Sequence, residues 1–407
     1  MPDLGDFVRP GDTVTWGQAQ AEPRGLTRAL VAQRHRFART RLLLGIGAGD
    51  TVAPDHADAF DFVSYCGSGA NRALAAAGVL ELIPFHYATL PRLMVDGPLQ
   101  VDVVLLQVSP PDEQGRYSLG LANDHLIAAL QTARAVLGEV NPEVPWTHGE
   151  RCLRRDDFAM LVDASEPPLD AARRMPGALE TAIGRHVAGF VDDGATLQFG
   201  IGSVPGAVLA CLGDRRDLGV HSGVLDDGVV DLIEAGAVTN ARKSIDRGVT
   251  VTGLLMGGSR LRRLAHRNSA LQLRGTAYTH DPAVLASLDR LVAINSAVEV
   301  DLTGQVNAEV AGGIYVGAVG GIVDFLRGAA RSRGGTPIIA LPAAVGGRSR
   351  IVARLAGPVT VARSDAGVVV TEHGAADLRG VGLRERMERM IGIAGPQFRE
   401  ELAGSIA

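Results

Sequence analysis

DDGATLQFGIGSVPGAVLACLGDRRDLGVHSGVLDDG, residues 192–228, is the stretch that decides the predicted fold. Its apolar run at residues 195–199 predicts a buried β-strand, and Gly200-Ile-Gly202 interrupts that strand. Pro205 favours the first turn of a following helix, because proline lacks the N–H group that would have no partner there. The stretch therefore begins as a strand, a glycine turn and a helix.

A second strand follows in the same stretch, at residues 218–221, and ends in the small-residue turn Ser222-Gly223. The two strand ends fall within the length of one strand–helix–strand unit. Ligands of parallel α/β sheets bind beyond the carboxyl ends of the strands. We therefore expect a ligand-binding crevice where Gly200-Ile-Gly202 and Ser222-Gly223 follow their strands.

The composition is that of a globular protein, with 46% hydrophobic residues, 21% charged residues and 51 glycines. Apolar strands alternate with helical segments along the chain, and this alternation favours the α/β class. A chain of 407 residues is long for one hydrophobic core, so we expect two domains. The net charge of -5 gives no reason to expect nucleic-acid binding.

The three cysteines, Cys66, Cys152 and Cys211, have neither the spacing of metal ligands nor that of a disulfide framework. This usage fits a reducing compartment. The first residues, MPDLGDFVRPGDT, lack the apolar core of a signal peptide, and no apolar run approaches the length that spans a membrane. We therefore predict a cytoplasmic protein with no metal site and no membrane contact.

The opening of the chain is repeated near its middle. Residues 10–18, PGDTVTWGQ, resemble residues 193–201, DGATLQFGI, with a turn, a strand and a glycine break in the same order. The repeat predicts an internal duplication into two similar open α/β domains, at residues 1–168 and 169–407. The polar, proline-bearing stretch near Ser165-Glu-Pro-Pro168 suits the join.

Gly200-Ile-Gly202 lacks the third glycine of a dinucleotide fingerprint, because Pro205 stands at that position. Two interpretations of this turn remain. The glycines serve only the backbone turn, or the N–H groups at the helix start polarise a carbonyl oxygen. In the second case, two fixed donors would lower the barrier to acyl transfer by a few kcal/mol.

Other candidate side chains carry weaker signals. Glu299 follows a strand among small and polar residues, as a solvated charge or a functional carboxylate does. His86 and His221 follow apolar runs, as histidines of a core or of a pocket rim do. Cys66 lies beside Gly67-Ser-Gly69, but no histidine or acid can be assigned to it as the partner of a nucleophile.

Several phrases together resemble the acetyl-CoA hydrolase/transferase family, which includes 4-hydroxybutyrate and butyrate–acetate CoA-transferases. They occur in order along nearly the whole chain: Gln107-Val-Ser-Pro-Pro-Asp112, Glu139-Val-Asn-Pro142, Gly200-Ile-Gly202, Asp227-Gly-Val-Val-Asp231, Asn295-Ser-Ala-Val-Glu-Val-Asp-Leu-Thr-Gly-Gln-Val-Asn307, Gly320-Gly321 and Asp377-Leu-Arg-Gly380. The resemblance implies two similar α/β domains of the class I CoA-transferase type, an active site in the cleft between them, and a homodimer. It also implies that coenzyme A and acyl-CoA are substrates rather than bound cofactors.

In transferases of this family a glutamate attacks the acyl-CoA carbonyl, which releases CoA and forms an acyl–glutamyl anhydride. CoA then displaces the acyl group as a carboxylate and forms a thioester with the glutamate, from which a second carboxylate collects CoA. The resemblance implies two further groups of site residues. The oxyanion and substrate would contact Phe199, Gly200, Gly202, His221 and Ser222, and CoA would contact Asn295, Gly317, Gly320 and Gly321.

The chain departs from the family where this glutamate is expected. The family phrase resembles His-Thr-Glu-Met, whereas this chain reads His221-Ser-Gly-Val224 and has glycine at the nucleophile's position. Gly223 has no side chain that could form an anhydride, so three interpretations follow. Water or a small acceptor attacks the thioester directly, with Glu299 or Asp226 as general base. Alternatively, Glu299 or Asp226 replaces the nucleophile, or the chain only binds CoA or a partner.

Overall fold

The structure is a computed structural model that describes residues 1–170 and 175–405. The described residues form two compact units. The first unit contains the first described range together with Val251–Thr279 and Ile314–Gly320. The second unit contains the rest of the second described range.

The first unit is built on a seven-stranded sheet in which all neighbouring strands are parallel. In spatial order its strands are Met160–Asp163, Ala135–Val140, Val103–Val108, Thr13–Trp16, Thr40–Leu44, Phe60–Ser64 and Leu80–Leu82. Every residue of Val103–Val108 is buried, because this strand lies inside the sheet. Its unbroken apolar run is typical of a parallel strand that is covered on both faces.

The second unit contains a six-stranded sheet. In spatial order its strands are Gly219–Val220, Thr196–Phe199, Leu291–Asn295, Thr336–Ala340, Val368–Thr371 and Gly374–Asp377. All pairs are parallel except the last, in which Gly374–Asp377 returns antiparallel to Val368–Thr371. The predicted strand at residues 195–199 is thus an inner strand of this sheet.

The two sheets share one order of connection. In each unit the first strand lies inside the sheet, with the second strand of the unit on one side. On the other side of the first strand, later strands follow in chain order, and all of them are parallel to it except Gly374–Asp377. The predicted α/β class with two similar open domains is therefore confirmed, and Thr13–Trp16 occupies the same place in its sheet as Thr196–Phe199 does.

Short strands and helices complete the units. Short strands pair outside the two sheets as follows: Arg116–Ser118 with Cys152–Arg154, His148–Gly149 with Leu271–Leu273, Glu299–Asp301 with Val306–Asn307 and Ile351–Val352, and Ala344–Val345 with Arg348–Ser349. Further short strands are Val224–Leu225, Thr250–Thr252, Leu254–Leu255, Val310–Ala311 and Ile314–Tyr315. The α-helices are Arg24–Ala32, Asn71–Ala76, Leu90–Val95, Leu126–Thr132, Ala178–Ala188, Ser203–Ala210, Asp227–Glu234, Ser259–Ala265, Thr276–Thr279, Pro282–Ser287, Ile322–Arg331, Leu383–Ile393 and Arg399–Gly404.

Two segments that the sequence analysis assigned to the domain at residues 169–407 lie in the first unit. In the segment Val251–Thr279, the Leu255 N–H donates to the Leu121 carbonyl at 2.8 Å. In the segment Ile314–Gly320, the Gly317 carbonyl accepts a hydrogen bond from the Gly67 N–H at 2.9 Å. Buried backbone groups need such partners, so these contacts hold both segments in the first unit despite their place late in the chain.

We expect that Leu197→Ala lowers the free energy of unfolding by about 2–5 kcal/mol, because it opens a cavity in the inner strand of the second sheet. The Leu197 side chain is fully buried, with 0% of its surface exposed. Leu383 in the same unit is 52% exposed and provides the control. Leu383→Ala should change this free energy by no more than about 0.5 kcal/mol in urea titrations. Equal costs for the two variants would contradict the packing described here.

Candidate functional site

The glycine turn after Thr196–Phe199 has open backbone donors. The Gly200 N–H itself donates to the Ile294 carbonyl at 3.1 Å, so it continues the sheet ladder. Within the described part of the chain, neither the Ile201 N–H nor the Gly202 N–H donates to another protein group. The donors that this turn can offer to a ligand are therefore those of residues 201 and 202.

Gly202 is required at this turn by its backbone conformation. It precedes the helix Ser203–Ala210 and has a φ of 122°. This value lies in a region that residues with side chains rarely adopt, because a Cβ atom clashes with the backbone there. The turn therefore depends on glycine for its shape, and this shape leaves the two N–H groups beside the start of the helix.

The Ser222 hydroxyl connects the turn Ser222-Gly223 to Phe199, the last strand residue before the glycine turn. Ser222 Oγ donates to the Phe199 carbonyl at 2.9 Å and lies 3.4 Å from the Phe199 N–H, which donates to it. The His221 N–H donates to the Leu197 carbonyl at 3.0 Å. His221 and Ser222 are fully buried. The structure thus brings Phe199, His221 and Ser222 together at the ends of two neighbouring strands, next to Gly223.

The imidazole of His280 lies directly against Gly223. A Cβ atom built at Gly223 would be 2.9 Å from His280 Cε1 and 3.1 Å from its Nε2. A Cβ atom at Gly321 would be 2.6 Å from the same Nε2. A side chain at Gly321 would displace the ring, and one at Gly223 would press on it, so this position of the ring favours glycine at both positions.

His280 is 5% exposed, and its ring packs on Phe325 with 4.6 Å between ring centroids. No sequence pattern indicated this histidine as a site residue. It belongs to none of the quoted family phrases, and only the helix start Asp281-Pro282 marks its surroundings in the sequence. Asp281 accepts hydrogen bonds from the N–H groups of Ala283 and Val284, which caps the helix Pro282–Ser287 immediately after the histidine.

Glu299, one of the two predicted carboxylates, is occupied by structural hydrogen bonds. Its Oε1 accepts from the Asn307 side chain at 3.1 Å and from the N–H groups of Ala356 at 2.8 Å and Gly357 at 3.2 Å. Glu299 is 7% exposed, in a short strand that pairs with Val306–Asn307. The carboxylate therefore anchors the loop at residues 356–357.

Asp226, the other predicted carboxylate, begins a helix. It is the N-cap of Asp227–Glu234, and its Oδ1 accepts from the Gly228 N–H at 2.9 Å. An aspartate in this position satisfies one of the helix's open N–H groups and is typical of helix starts. Asp226 lies three residues after Gly223, and this is the position at which the helix needs its N-cap.

The residues predicted to contact CoA are divided between the two units. Asn295 ends a strand in the second unit, and its side-chain amide exchanges hydrogen bonds of 3.0 and 3.4 Å with Gln198. Gly321 precedes the helix Ile322–Arg331 in the same unit. Gly317 and Gly320 belong to the first unit, where the Gly320 carbonyl accepts a hydrogen bond from the Tyr87 N–H.

A cluster of buried polar side chains lies in the first unit, and the sequence motifs did not indicate it either. The Gln18 side-chain amide contacts Asp124 at 2.6 Å, Tyr87 at 3.0 Å and Tyr65 at 2.7 Å. Burial raises the pKa of both tyrosines well above its usual value. Burial also opposes ionisation of Asp124, but His125 and the Gln18 amide outweigh it and hold the pKa of Asp124 below its usual value.

Gln18 follows the strand Thr13–Trp16, as Ile201 follows Thr196–Phe199, so the internal repeat was the available signal for this cluster. A small cavity of about 20 Å³ lies beside it and is lined by Trp16, Gln18, Glu22 and Asn71 among others. The polar cluster and the cavity both lie at the carboxyl end of Thr13–Trp16, the central strand of the first sheet.

Cys66 lacks the surroundings of a nucleophile. It is buried, and its Sγ lies 2.7 Å from Ser68 Oγ. Burial raises the pKa of its thiol despite this contact, so the thiolate is disfavoured. Among residues 1–170 and 175–405, no group of three metal-ligating side chains is arranged to hold an ion. In the same residues, no helix has both the length and the apolar surface needed to cross a bilayer.

Comparisons with known proteins cover almost the whole chain. The profile of the acetyl-CoA hydrolase/transferase N-terminal domain matches residues 3–166, and that of the C-terminal domain matches residues 257–406. The 4-hydroxybutyrate coenzyme A transferase of Clostridium kluyveri is 37% identical over 395 residues, which are 96% of this chain and 92% of that protein. An acetyl-CoA hydrolase of Yarrowia lipolytica is 31% identical over 258 residues, which are 60% of this chain and 47% of that protein.

A solved structure of similar shape is RipA from Yersinia pestis. It has a TM-score of 0.94 and 33% identity, over 99% of this chain and 94% of that chain. The similarity therefore extends over both halves of the sequence rather than over one domain.

We expect that Gly223→Ala lowers the free energy of unfolding by about 1–3 kcal/mol, because its Cβ atom overlaps the His280 ring. In the His280→Ala background the ring is absent, and the same change should cost at least about 0.5 kcal/mol less. Urea titrations of the four proteins measure this coupling.

Gly206→Ala provides the control for this cycle. Gly206 lies in the helix Ser203–Ala210, and a Cβ atom there meets nothing within 4 Å. This change should leave stability unchanged or raise it by up to about 1 kcal/mol, because alanine favours helices. An equal cost of Gly223→Ala with and without the His280 ring would show that the two residues do not contact each other.

Proposed function

Because this chain belongs to the acetyl-CoA hydrolase/transferase family, we propose that it cleaves an acyl-CoA thioester by direct attack of water or of another small acceptor. The observation that carries this proposal is the absence of a side chain at position 223. Gly223 stands where the resemblance places the family's glutamate and has no side chain, and a Cβ atom there would already lie 2.9 Å from the His280 ring. A covalent route through this position is therefore closed.

The general activity follows from the family, whose members are acyl-CoA transferases and hydrolases. The matched relatives include one protein named as a transferase and one named as a hydrolase, so both outcomes of thioester cleavage occur among them. A carboxylate nucleophile keeps the energy of the thioester in a covalent intermediate, whereas water dissipates it. Loss of the carboxylate favours hydrolysis or a single-step acyl transfer.

The glycine turn supplies the second part of the proposed mechanism. The N–H groups of Ile201 and Gly202, beside the start of a helix, would donate to the oxygen that becomes negative when the thioester carbonyl is attacked. Donors fixed in advance stabilise such an oxyanion, and one of them typically contributes about 2.7–4 kcal/mol. Ser222 would hold the neighbouring turn against Phe199 while this occurs.

CoA transfer on a displaced carboxylate is a less favoured alternative. Glu299 Oε1 already accepts three hydrogen bonds, and Asp226 caps its helix. A carboxylate that attacks a thioester gives up such hydrogen bonds, which stabilise its charge, and this raises the barrier. The predicted CoA contacts at Asn295, Gly317, Gly320 and Gly321, the cytoplasmic location and the homodimer stay predictions.

We expect the purified protein to release free CoA thiol from a panel of short-chain acyl-CoA substrates, with no change in its intact mass. A thiol-reactive dye measures the release, and mass spectrometry of the intact protein detects any acyl or CoA adduct. An adduct on Asp226 or Glu299 would overturn direct attack in favour of the displaced carboxylate. Protection by CoA against thermal unfolding without any turnover would instead mean a binding protein.

The variants Glu299→Gln and Asp226→Asn test whether the charge of either carboxylate takes part in the reaction, while the structural hydrogen bonds of these side chains are kept. Each keeps the oxygen that accepts hydrogen bonds and removes the charge that a base or nucleophile needs. We expect thioester cleavage to stay within about threefold of the parent, measured by thiol release, with unchanged thermal stability. A loss of several orders of magnitude in either stable variant would assign that carboxylate to the reaction.

A further inference from the structure

We propose that Arg348, Arg350 and Arg354 bind the phosphate groups of coenzyme A at the carboxyl edge of the second sheet. This inference rests on the proposed cleavage of an acyl-CoA and extends it to the nucleotide end of that substrate. Coenzyme A carries a pyrophosphate and a 3′-phosphate, and arginine is the side chain that best matches phosphate oxygens. The residues that the resemblance assigns to CoA, at positions 295, 317, 320 and 321, supply no positive charge.

The distribution of charge along the chain is the first argument. Residues 325–364 contain seven arginines and no aspartate or glutamate, although the whole chain has a net charge of -5. Arg327 and Arg333 form ion pairs with acids outside this range. In the part of the chain that the structure describes, no acidic side chain pairs with any of the three proposed arginines. Two of these, at positions 348 and 354, are exposed and the third is half-buried, so their charges are open to an anion.

The place of these arginines in the fold is the second argument. The strands Thr196–Phe199, Leu291–Asn295 and Thr336–Ala340 are parallel neighbours in this order, so all three end at the same edge of the sheet. The glycine turn with the open N–H groups follows the first of these strands, and the arginine segment follows the third. Neighbouring strands lie about 4.8 Å apart, so about 10 Å across the sheet separates the two strand ends. The long pantetheine arm of CoA can join a thioester at the turn to phosphates at the arginines.

A β-hairpin presents the first of the three arginines. The strand Ala344–Val345 pairs with Arg348–Ser349 across the turn Gly346-Gly347, whose φ values of 57° and 75° suit a tight hairpin. Val345 stands opposite Arg348 in this pair, and 47% of its surface is exposed. An exposed apolar side chain beside a cation suits a ligand in which an adenine ring lies next to a phosphate group.

Backbone hydrogen bonds hold the rest of the arginine segment. The Arg350 N–H donates to the Ala343 carbonyl at 2.8 Å, at the base of the hairpin. Arg354 lies two residues before the loop at residues 356–357, whose N–H groups donate to the Glu299 carboxylate. Binding costs less conformational entropy when the contacting segment is already ordered. In this proposal Glu299 therefore serves CoA binding indirectly, by anchoring the end of the segment.

A thioester without phosphate groups tests the proposal. We expect the triple variant Arg348→Ala/Arg350→Ala/Arg354→Ala to raise KM for acyl-CoA about tenfold or more, because hydrogen bonds between charged groups are lost. Its kcat should stay within about twofold of the parent value, because these contacts form equally in the ground state and the transition state. For acyl-pantetheine, which carries the same thioester, the variant should change neither constant.

Arg331→Ala is the matched control. Arg331 is exposed and belongs to the same acid-free range, and no acidic side chain in the described residues pairs with it. It ends the helix before the strand Thr336–Ala340, so it lies toward the amino edge of the sheet. This variant should keep the parental KM for acyl-CoA.

Thermal unfolding provides a measurement that needs no turnover. Adenosine 3′,5′-bisphosphate should raise Tm of the parent and of Arg331→Ala, because a ligand that binds the folded state stabilises it, and should leave Tm of the triple variant unchanged. Adenosine, which lacks phosphate, should raise Tm of none of them. Equal protection by inorganic phosphate would indicate a site for any free anion and would overturn the assignment to CoA.

The outcomes separate this inference from the function on which it rests. If the parent protein cleaves no thioester, the proposed function fails, and protection by the bisphosphate still decides the inference. If the parent cleaves thioesters but the folded triple variant keeps its KM for acyl-CoA, the arginines do not bind the phosphates. An equal rise in KM for acyl-CoA and acyl-pantetheine would contradict the proposal as well. The single variants serve where the triple variant does not fold, and a parental KM in all three would overturn it equally.

Discussion

The exclusion of atoms around the His280 ring is the constraint on which the site depends. Positions 223 and 321 approach the imidazole so closely that a Cβ atom at either would lie 2.6–2.9 Å from the ring. A side chain at position 223 would therefore press against the observed ring at position 280. Since close packing gives protein interiors little freedom to yield, the residues at these positions constrain one another.

The scaffold itself remains that of the family. In the proposed function, the glycine turn and its open N–H groups would stabilise a developing oxyanion whichever group attacks. The identity of the attacking group decides what becomes of the thioester's free energy. A glutamyl anhydride would pass that energy to a second CoA ester, whereas attack by water releases it. One side-chain position thus separates an exchange reaction near equilibrium from an irreversible cleavage.

Local sequence patterns suffice to predict buried parallel strands such as Val103–Val108 and Leu291–Asn295, because these strands are continuous apolar runs. The repeat at Thr13–Trp16 and Thr196–Phe199 predicted two similar domains. Hydrogen bonds between residues distant in sequence leave no local pattern, so the transfer of Val251–Thr279 to the first unit was not foreseen. The contact of His280 with Gly223 was missed for the same reason. The capping role of Asp226 could have been predicted, because aspartate favours the position before a helix.

The glycines around His280 also couple the residues that these positions can hold. A side chain introduced at position 223 would press on the ring and destabilise the fold, unless the residue at position 280 were made smaller as well. The effect of a substitution at position 223 therefore depends on the residue at position 280, so an engineered carboxylate there calls for a compensating change at the histidine.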